Sequence, residues 1–241
     1  MELGNKKIFT DGAHQLGINL PPKAQYLFGH YLSNLKFFNK KINLTAITED
    51  KDIITKHFLD SISVIKCGKI KPGISLLDVG AGAGFPGIPL KIIEPRINLS
   101  LLEANQKKAL FLEAITKKLN LFGVSIISER AEIFGQGTGR DKFDVVVARA
   151  LGSLATTFEL AVPLLNIGGY FIAQKAKIND SELSQAKEAT KYLNCEIEDI
   201  IAVKVPFMEG QRSLVVVRKK GNTSPKYPRR PGIPAKKPLG K

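Results

Sequence analysis

Fifteen residues, LLDVGAGAGFPGIPL at positions 76–90, constrain this chain more than any other stretch. An apolar run ends in Asp78, glycines stand at the alternate positions 80, 82 and 84, and an apolar segment with helical spacing follows directly. The pattern predicts a strand, a tight turn and a helix. Glycine lets such a turn take positive φ and lets backbone approach a bulky ligand where a Cβ would stand in the way. A nucleoside-containing cofactor is expected there.

The turn alone leaves the cofactor open. A dinucleotide fingerprint, G-x-G-x-x-G, wants a small residue where this chain has Phe85, which disfavours NAD. A G-x-G-x-G turn behind an acidic strand end suits S-adenosylmethionine (SAM), which carries no pyrophosphate and needs no third glycine at the helix start. A glycine-rich turn with a purely structural role is the third possibility.

The surrounding pattern gives the architecture. Strands are predicted at 74–79, 97–103, 124–129, 143–148, 169–174, about 196–204 and 213–218, with helices at about 85–94, 105–120, 153–166 and 179–193. Apolar strands joined by amphipathic helices make a mostly parallel sheet covered on both faces. The last two strands have no helix between them, so they should pair antiparallel and close the sheet. Residues 22–40 and about 49–66 carry apolar side chains at helical steps, behind Pro21-Pro22 and Thr48 as helix starts. The expected organisation is an N-terminal helical subdomain over 1–72, a Rossmann-like domain over 73–219 and a basic, proline-rich tail over 220–241.

At 241 residues and 44% hydrophobic composition, the chain can bury one full-sized core. It has no run of eighteen apolar residues, and MELGNKKIFTDGAHQ lacks the apolar region of a signal peptide, so a cytoplasmic protein without a membrane role is expected. Cys67 and Cys195 stand far apart without a His/Cys cluster, so neither a metal site nor a disulfide is expected. The net charge of +14 is concentrated at the end of the chain, where Lys219 to Lys241 holds eight Lys or Arg and no acid. Such a polycation calls for a polyanionic partner, nucleic acid or an anionic membrane surface, unless it serves only solubility. Its regularly spaced prolines predict an extended segment able to follow phosphates.

In open α/β sheets the ligand sits beyond the carboxyl ends of the strands. Glu103 ends the second strand, about twenty residues past the turn, where a carboxylate accepts both hydroxyls of a ribose. After the third strand, Glu132 either meets an adenine amine or serves as an acid near a helix start. Arg149 ends the fourth strand and Lys175 the fifth. The fourth strand is followed by neither the Asp-Pro-Pro-aromatic stretch of enzymes that methylate exocyclic amines nor a nucleophilic Cys. His57 and Asp60 are read as a polar seam between the helical layer and the sheet.

Taken together, NLTAI (43–47), HFLDSI (57–62), LLDVGAGAGFPGIPL, LLEANQKKALFLEA, RAE (130–132), VVVARALGSL, GGYFIAQK, GQRSLVVVRK and the tail KYPRRPGIPAKKPLGK resemble one family. It is that of the bacterial 16S ribosomal RNA guanine-N7 methyltransferases, the ribosomal RNA small subunit methyltransferase G or glucose-inhibited division protein B family. The resemblance implies a class I SAM-dependent methyltransferase fold, with a seven-stranded sheet closed by an antiparallel strand. It implies methyl transfer from SAM to N7 of a guanine in the 530 loop of 16S rRNA, guanine 527 in the family. The partner is then 16S rRNA or a small ribosomal subunit particle, and a monomer is expected. Carried over by position, the cofactor contacts are Gly80, Gly82, Gly84, Phe85, Glu103, Asn105, Ala131, Glu132 and Arg149. Where Glu103 stands, the family often has Asp. Attack by a guanine N7 lone pair requires no general base, so catalysis should rest on positioning, with Arg149 and Lys175 as the positioning candidates. Lys175, Arg212, Arg229, Arg230, Lys236 and Lys237 are the candidates for RNA contact. An NAD-linked oxidoreductase and a non-catalytic RNA-binding protein are the competing readings.

Overall fold

In the computed structural model, which describes residues 2–240, each predicted strand forms and the helices alternate with them. The N-terminal layer holds α1 (Leu3–Gln15), α2 (Ala24–Asn39), α3 (Asp50–Ile53) and α4 (Asp60–Ile62). The sheet region then runs β1 (Ser75–Val79), α5 (Gly87–Ile93), β2 (Asn98–Leu102), α6 (Gln106–Lys118), β3 (Val124–Ile127), α7 (Ala131–Gln136) and β4 (Phe143–Arg149). It continues through α8 (Leu154–Ala161), β5 (Leu165–Lys175), α9 (Asp180–Leu193), β6 (Cys195–Val203) and β7 (Arg212–Lys219), with α10 (Ile233–Lys236) in the tail. Strand order is β3-β2-β1-β4-β5-β7-β6. β1 to β5 pair parallel, and β7 slots antiparallel between β5 and β6, so the expected closing pair forms by insertion.

Side chains of successive strand residues point to opposite faces, and the two cores follow that period. Val145 and Val147 join the core shared with α1, α2, α5 and α6, whereas Val146 and Ala148 join the one shared with α8 and α9. The first core runs without a break from Phe9 and Phe28 through Phe58 to Leu76, Leu101 and Ile172. Burial of this apolar surface, at about 25 cal/mol per Å², binds the helical layer to the sheet as one packed unit.

Three features depart from the sequence pattern. The helix expected over 49–66 is not uniform: α3 passes into a π-helical turn at Ile54–Leu59, then α4, then a 3-10 turn at Ser63–Cys67. π-turns are rare and recur at functional sites. An additional helix, α1, lies under this segment, and Gly12 is needed there because a Cβ would come within 2.4 Å of Leu59 Cδ1. The tail, finally, is not free. It runs back across α7, α8 and α9, and its carbonyls, which proline-rich chain cannot satisfy by itself, are taken by side chains of the body. Gln136 Nε2 donates to Pro225 O (3.1 Å) and Pro228 O (2.6 Å), Arg140 to Thr223 O and Tyr227 O, and Thr156 Oγ1 to Pro234 O (3.1 Å).

Candidate cofactor and substrate site

The glycine turn crosses the carboxyl ends of β1 and β2. Gly80 and Ala81 donate to Leu102 O (2.8 and 3.1 Å), and Gly80, Gly82 and Gly84 all have positive φ (71°, 57° and 93°). Tyr31 of α2 reaches over and donates its hydroxyl to Ala83 O, so the helical layer braces the turn. Around Gly82 the space is open: a Cβ there would meet nothing closer than Gly80 O at 3.8 Å.

One carboxylate borders this opening, and a second lies buried at the end of β1. Glu103, buried to 8% exposure, accepts from Gly82 N (2.8 Å) and Asn105 N (2.7 Å), which fixes its plane. Each carboxylate oxygen has a second lone pair, so the group still has capacity for two hydroxyls. Asp78 is fully buried; Oδ2 accepts from Gly87 N (2.8 Å), while Oδ1 has no partner. Burial pushes its carboxyl up to about 7. An unpartnered buried carboxylate oxygen is costly, and a ligand cation would satisfy it. Asp78, the open turn at Gly82 and Glu103 therefore fit a ligand with an ammonium at one end and a ribose diol further along, which is the donor set of SAM. Ala131 and Glu132, at the start of α7, stand beyond the end of β3. Glu132 is buried, and its Oε1 accepts from Gly232 N of the tail (2.8 Å).

Facing the turn is a cluster in which residues of the helical layer meet strand ends. Asp60, 2% exposed, accepts from Arg149 Nη1 through Oδ2 and from Arg212 Nε through Oδ1, both at 3.0 Å. Gln174 Nε2 donates to the Asp60 carbonyl (2.6 Å). Arg149 also donates to Lys56 O (3.1 Å) and to His57 Nδ1 (3.2 Å). His57 Nδ1 thus sits between a donor, Arg149 Nη2, and an acceptor, Lys56 O (3.1 Å), while Nε2 meets Thr45 Oγ1 at 2.7 Å. Burial, reinforced by the neighbouring Arg149 charge, lowers the His57 pKa to about 4, so the ring is neutral. Phe85 lies at the centre: His57 stacks on it (4.6 Å, 23°), Tyr31 packs at 5.4 Å and the Arg149 guanidinium sits 5.0 Å from its centroid.

The predicted positions thus separate into groups. Gly80, Gly82, Gly84, Phe85, Glu103 and Asn105 cluster at the turn. Arg149 joins His57 and Asp60, which sequence reasoning had set aside as a seam; their motif HFLD signalled them, but not their partner. Lys175 is ion-paired with Glu182 (2.8 Å) and donates to Gly152 O (3.0 Å). Arg229 forms a bidentate pair with Glu159, a fully buried carboxylate, through Nε (2.8 Å) and Nη2 (2.6 Å). Arg230, Lys236 and Lys237 are exposed. An apolar groove of about 780 Å³, lined by Pro22, Tyr26, His30, Lys118 and Phe122, lies by the amino ends of β2 and β3, on the side away from this site. Among the described residues, no group of His, Cys, Asp and Glu side chains is placed to hold a metal ion, and no helix is long and apolar enough to cross a membrane.

Solved structures share this fold. Magnesium protoporphyrin IX methyltransferase from Synechocystis, crystallised with SAM, superposes with a TM-score of 0.53 at 15% identity, over 78% of this chain and 97% of that one. A precorrin-6y C5,15-methyltransferase from Geobacter metallireducens gives 0.51 at 16% identity, over 66% and 86%. The fold is that of the class I SAM-dependent methyltransferases, with a helical N-terminal extension. Within that class, the family model described as rRNA small subunit methyltransferase G matches residues 25–215. Proteins named ribosomal RNA small subunit methyltransferase G are similar over nearly the whole chain. The one from Caldanaerobacter subterraneus is 46% identical, covering 97% of this chain and 98% of its own, and one from Dehalococcoides mccartyi is 49% identical, covering 95% and 97%. The chain belongs to the rRNA small subunit methyltransferase G family.

Proposed function

We propose that this chain binds SAM at the glycine turn and transfers its methyl group to N7 of a guanine in the 530 loop of 16S rRNA. One observation carries the reading: an open turn at Gly82, bordered by Glu103, faces a cluster in which every strong base is already engaged. His57 has both ring nitrogens occupied, and Asp60 has both oxygens in ion pairs. Such a site suits a nucleophile that needs no deprotonation, and guanine N7 has a free lone pair.

When bound, SAM supplies an electrophilic methyl on a sulfonium. Asp78 offers Oδ1 to the ammonium of its amino-acid end, and Glu103 offers its free lone pairs to the ribose hydroxyls. Gly82 leaves room for the ligand backbone. Arg149, clamped by Lys56 O, His57 and Asp60, keeps Nε–H and one Nη2–H without partners among the described residues, and these are the donors for guanine O6 or a phosphate. Positioning of this kind lowers a barrier by roughly 7–11 kcal/mol. Arg212 and Lys175 border the same side, and the exposed Arg230, Lys236 and Lys237 offer charge to RNA phosphates. We further propose that the chain acts in the cytoplasm as a monomer, on rRNA or small-subunit particles. In the same reading, residues 1–72 form its substrate-side layer, 73–219 the methyltransferase domain and 220–241 a basic tail.

The test is transfer of radiolabelled methyl from SAM to 16S rRNA, or to small-subunit particles, from a strain that lacks this modification. Label released as N7-methylguanine from the 530 loop is expected. Label on another atom, or binding without transfer, would refute the assignment.

A further inference from the structure

The tail was expected to seek RNA, yet its centre is built into the cofactor side of the molecule. It is anchored on either side of Gly232. Upstream, Arg229 holds Glu159 of α8 through its backbone N–H (2.8 Å) and its guanidinium, and also donates to Lys237 O (2.7 Å), which folds the strap on itself. Downstream, Pro234 O accepts from Thr156 in the first turn of α8 (3.1 Å), Leu239 enters the core, and Gly240 lies so close to α9 that a Cβ would come within 2.5 Å of Gln185 O. Between these anchors Gly232, at φ 82°, aims its N–H at Glu132 Oε1 (2.8 Å). Glu132 and Thr156 lie in the first turns of α7 and α8, so the strap spans the carboxyl-end side of the sheet where helices leave β3 and β4.

We infer that Gly232 is a positioning residue for the cofactor: its N–H fixes one oxygen of Glu132, so that the other is presented to the 6-amino group of adenine. The inference rests on the reading that SAM binds at the glycine turn. Among the described residues, Glu132 Oε2 makes no hydrogen bond, and the carboxylate is buried to 8% exposure. A buried carboxylate with one oxygen fixed and one free is a directional acceptor. Its natural ligand is an N–H donor at the edge of a ring. The ribose held at Glu103, one strand away, places the base on this side of the turn.

The experiment is calorimetric titration of the full chain with S-adenosylhomocysteine and with its analogue carrying hydrogen in place of the 6-amino group. The wild-type chain should prefer the amine by about tenfold or more, the equivalent of about 1.4 kcal/mol. Gly232→Pro removes the donor, and proline cannot adopt a φ of 82°. Its preference should fall to near one, as should that of Glu132→Ala, and the double variant should lose nothing further. Gly232→Ala keeps the N–H and no atom lies within 4 Å of the added Cβ, so it should retain the preference, while the φ of 82° strains the alanine and lowers the melting temperature. A general loosening of the fold would weaken both ligands equally and leave the ratio intact, which would overturn the inference. If Gly232→Pro does not fold, exchange of the Gly232 amide in the wild-type chain decides: slowing on addition of S-adenosylhomocysteine supports the inference and no slowing overturns it. Failure of the wild-type chain to bind S-adenosylhomocysteine at all would instead refute the SAM reading.

Discussion

Asp60→Asn is the most informative single substitution, because one buried carboxylate holds two guanidiniums. Asp60 accepts from Arg149 and Arg212, each at 3.0 Å, and is 2% exposed. The substitution preserves shape but removes the anion, and turns one acceptor into an amide that points a donor at a cation. Removing one partner of a buried pair costs about 3–5 kcal/mol. The Arg149 and Arg212 side chains keep 17% and 23% exposure, so water recovers part of that. A loss of about 2–3 kcal/mol is expected from this balance, read as a lower urea midpoint at unchanged slope. The substitution should also divide the kinetic parameters. Asp60 makes no hydrogen bond to the glycine turn, Asp78 or Glu103 and reaches Phe85 only through Arg149, so SAM affinity should change far less than kcat. Arg149 loses its orientation, and a misplaced positioning group costs about a hundredfold in kcat. Unchanged stability together with unchanged kcat would refute the view that Asp60 organises this side of the site.

Glu103→Ala should weaken SAM binding at least about tenfold, since each charge-assisted hydrogen bond contributes roughly 1.5–3 kcal/mol; calorimetry with an unchanged Kd would contradict this. Asp78 gives a pH dependence with a definite sign. Its carboxyl sits near 7 in the free protein because of burial, and a ligand ammonium prefers the ionised form, so SAM affinity should fall as pH drops below about 7. The same raised pKa makes its contribution to stability greatest at acid pH, lost as pH rises toward 7; Asp78→Asn should flatten both profiles. His57 has the opposite sign: its pKa, lowered to about 4 by burial and Arg149, implies stability that is lost as pH falls from about 6.5 toward 4. Its removal should reduce the acid sensitivity of the urea midpoint. Arg229→Ala strands the fully buried Glu159 and should destabilise the fold by about 2–4 kcal/mol, whereas Arg230→Ala should leave the melting temperature unchanged.

What was legible in the sequence is what depends on local periodicity and spacing. The strands announce themselves by apolar runs between turn signals, and Glu103 by its distance from the turn. α7 did not, because AEIFGQ is six residues long and offers less than two helical turns of pattern. The insertion of β7 between β5 and β6 is a matter of pairing, which strand propensity does not contain. Asp60 and Arg149 are 89 residues apart, and only folding shows that the seam and the strand end are one cluster. The tail is the sharpest case. Its positive charge is legible, but the extended course its prolines predict does not form: the segment turns back on itself, holds α10, and follows acceptors and donors elsewhere in the fold. One signal was available: Glu159, a lone acid in the apolar stretch LATTFELAVPLL, demands a buried cation.

Phe85 links the two halves of the site. In the sequence it is the residue that breaks a dinucleotide fingerprint; in the fold it is the plate on which His57, Tyr31 and Arg149 meet. The glycine turn is therefore seated against the helical layer through an aromatic contact, and Arg149 rests on the same ring. The cluster carries a net single positive charge, two guanidiniums against Asp60 with His57 neutral. On the proposed reading, guanine enters neutral beside phosphates that welcome the charge, and leaves as a cation that does not. The transfer moves charge from sulfonium to base without creating any, so the site need not stabilise a new ion. A basic wall held rigid by one buried acid suits binding of the RNA before transfer and release of the methylated base after it.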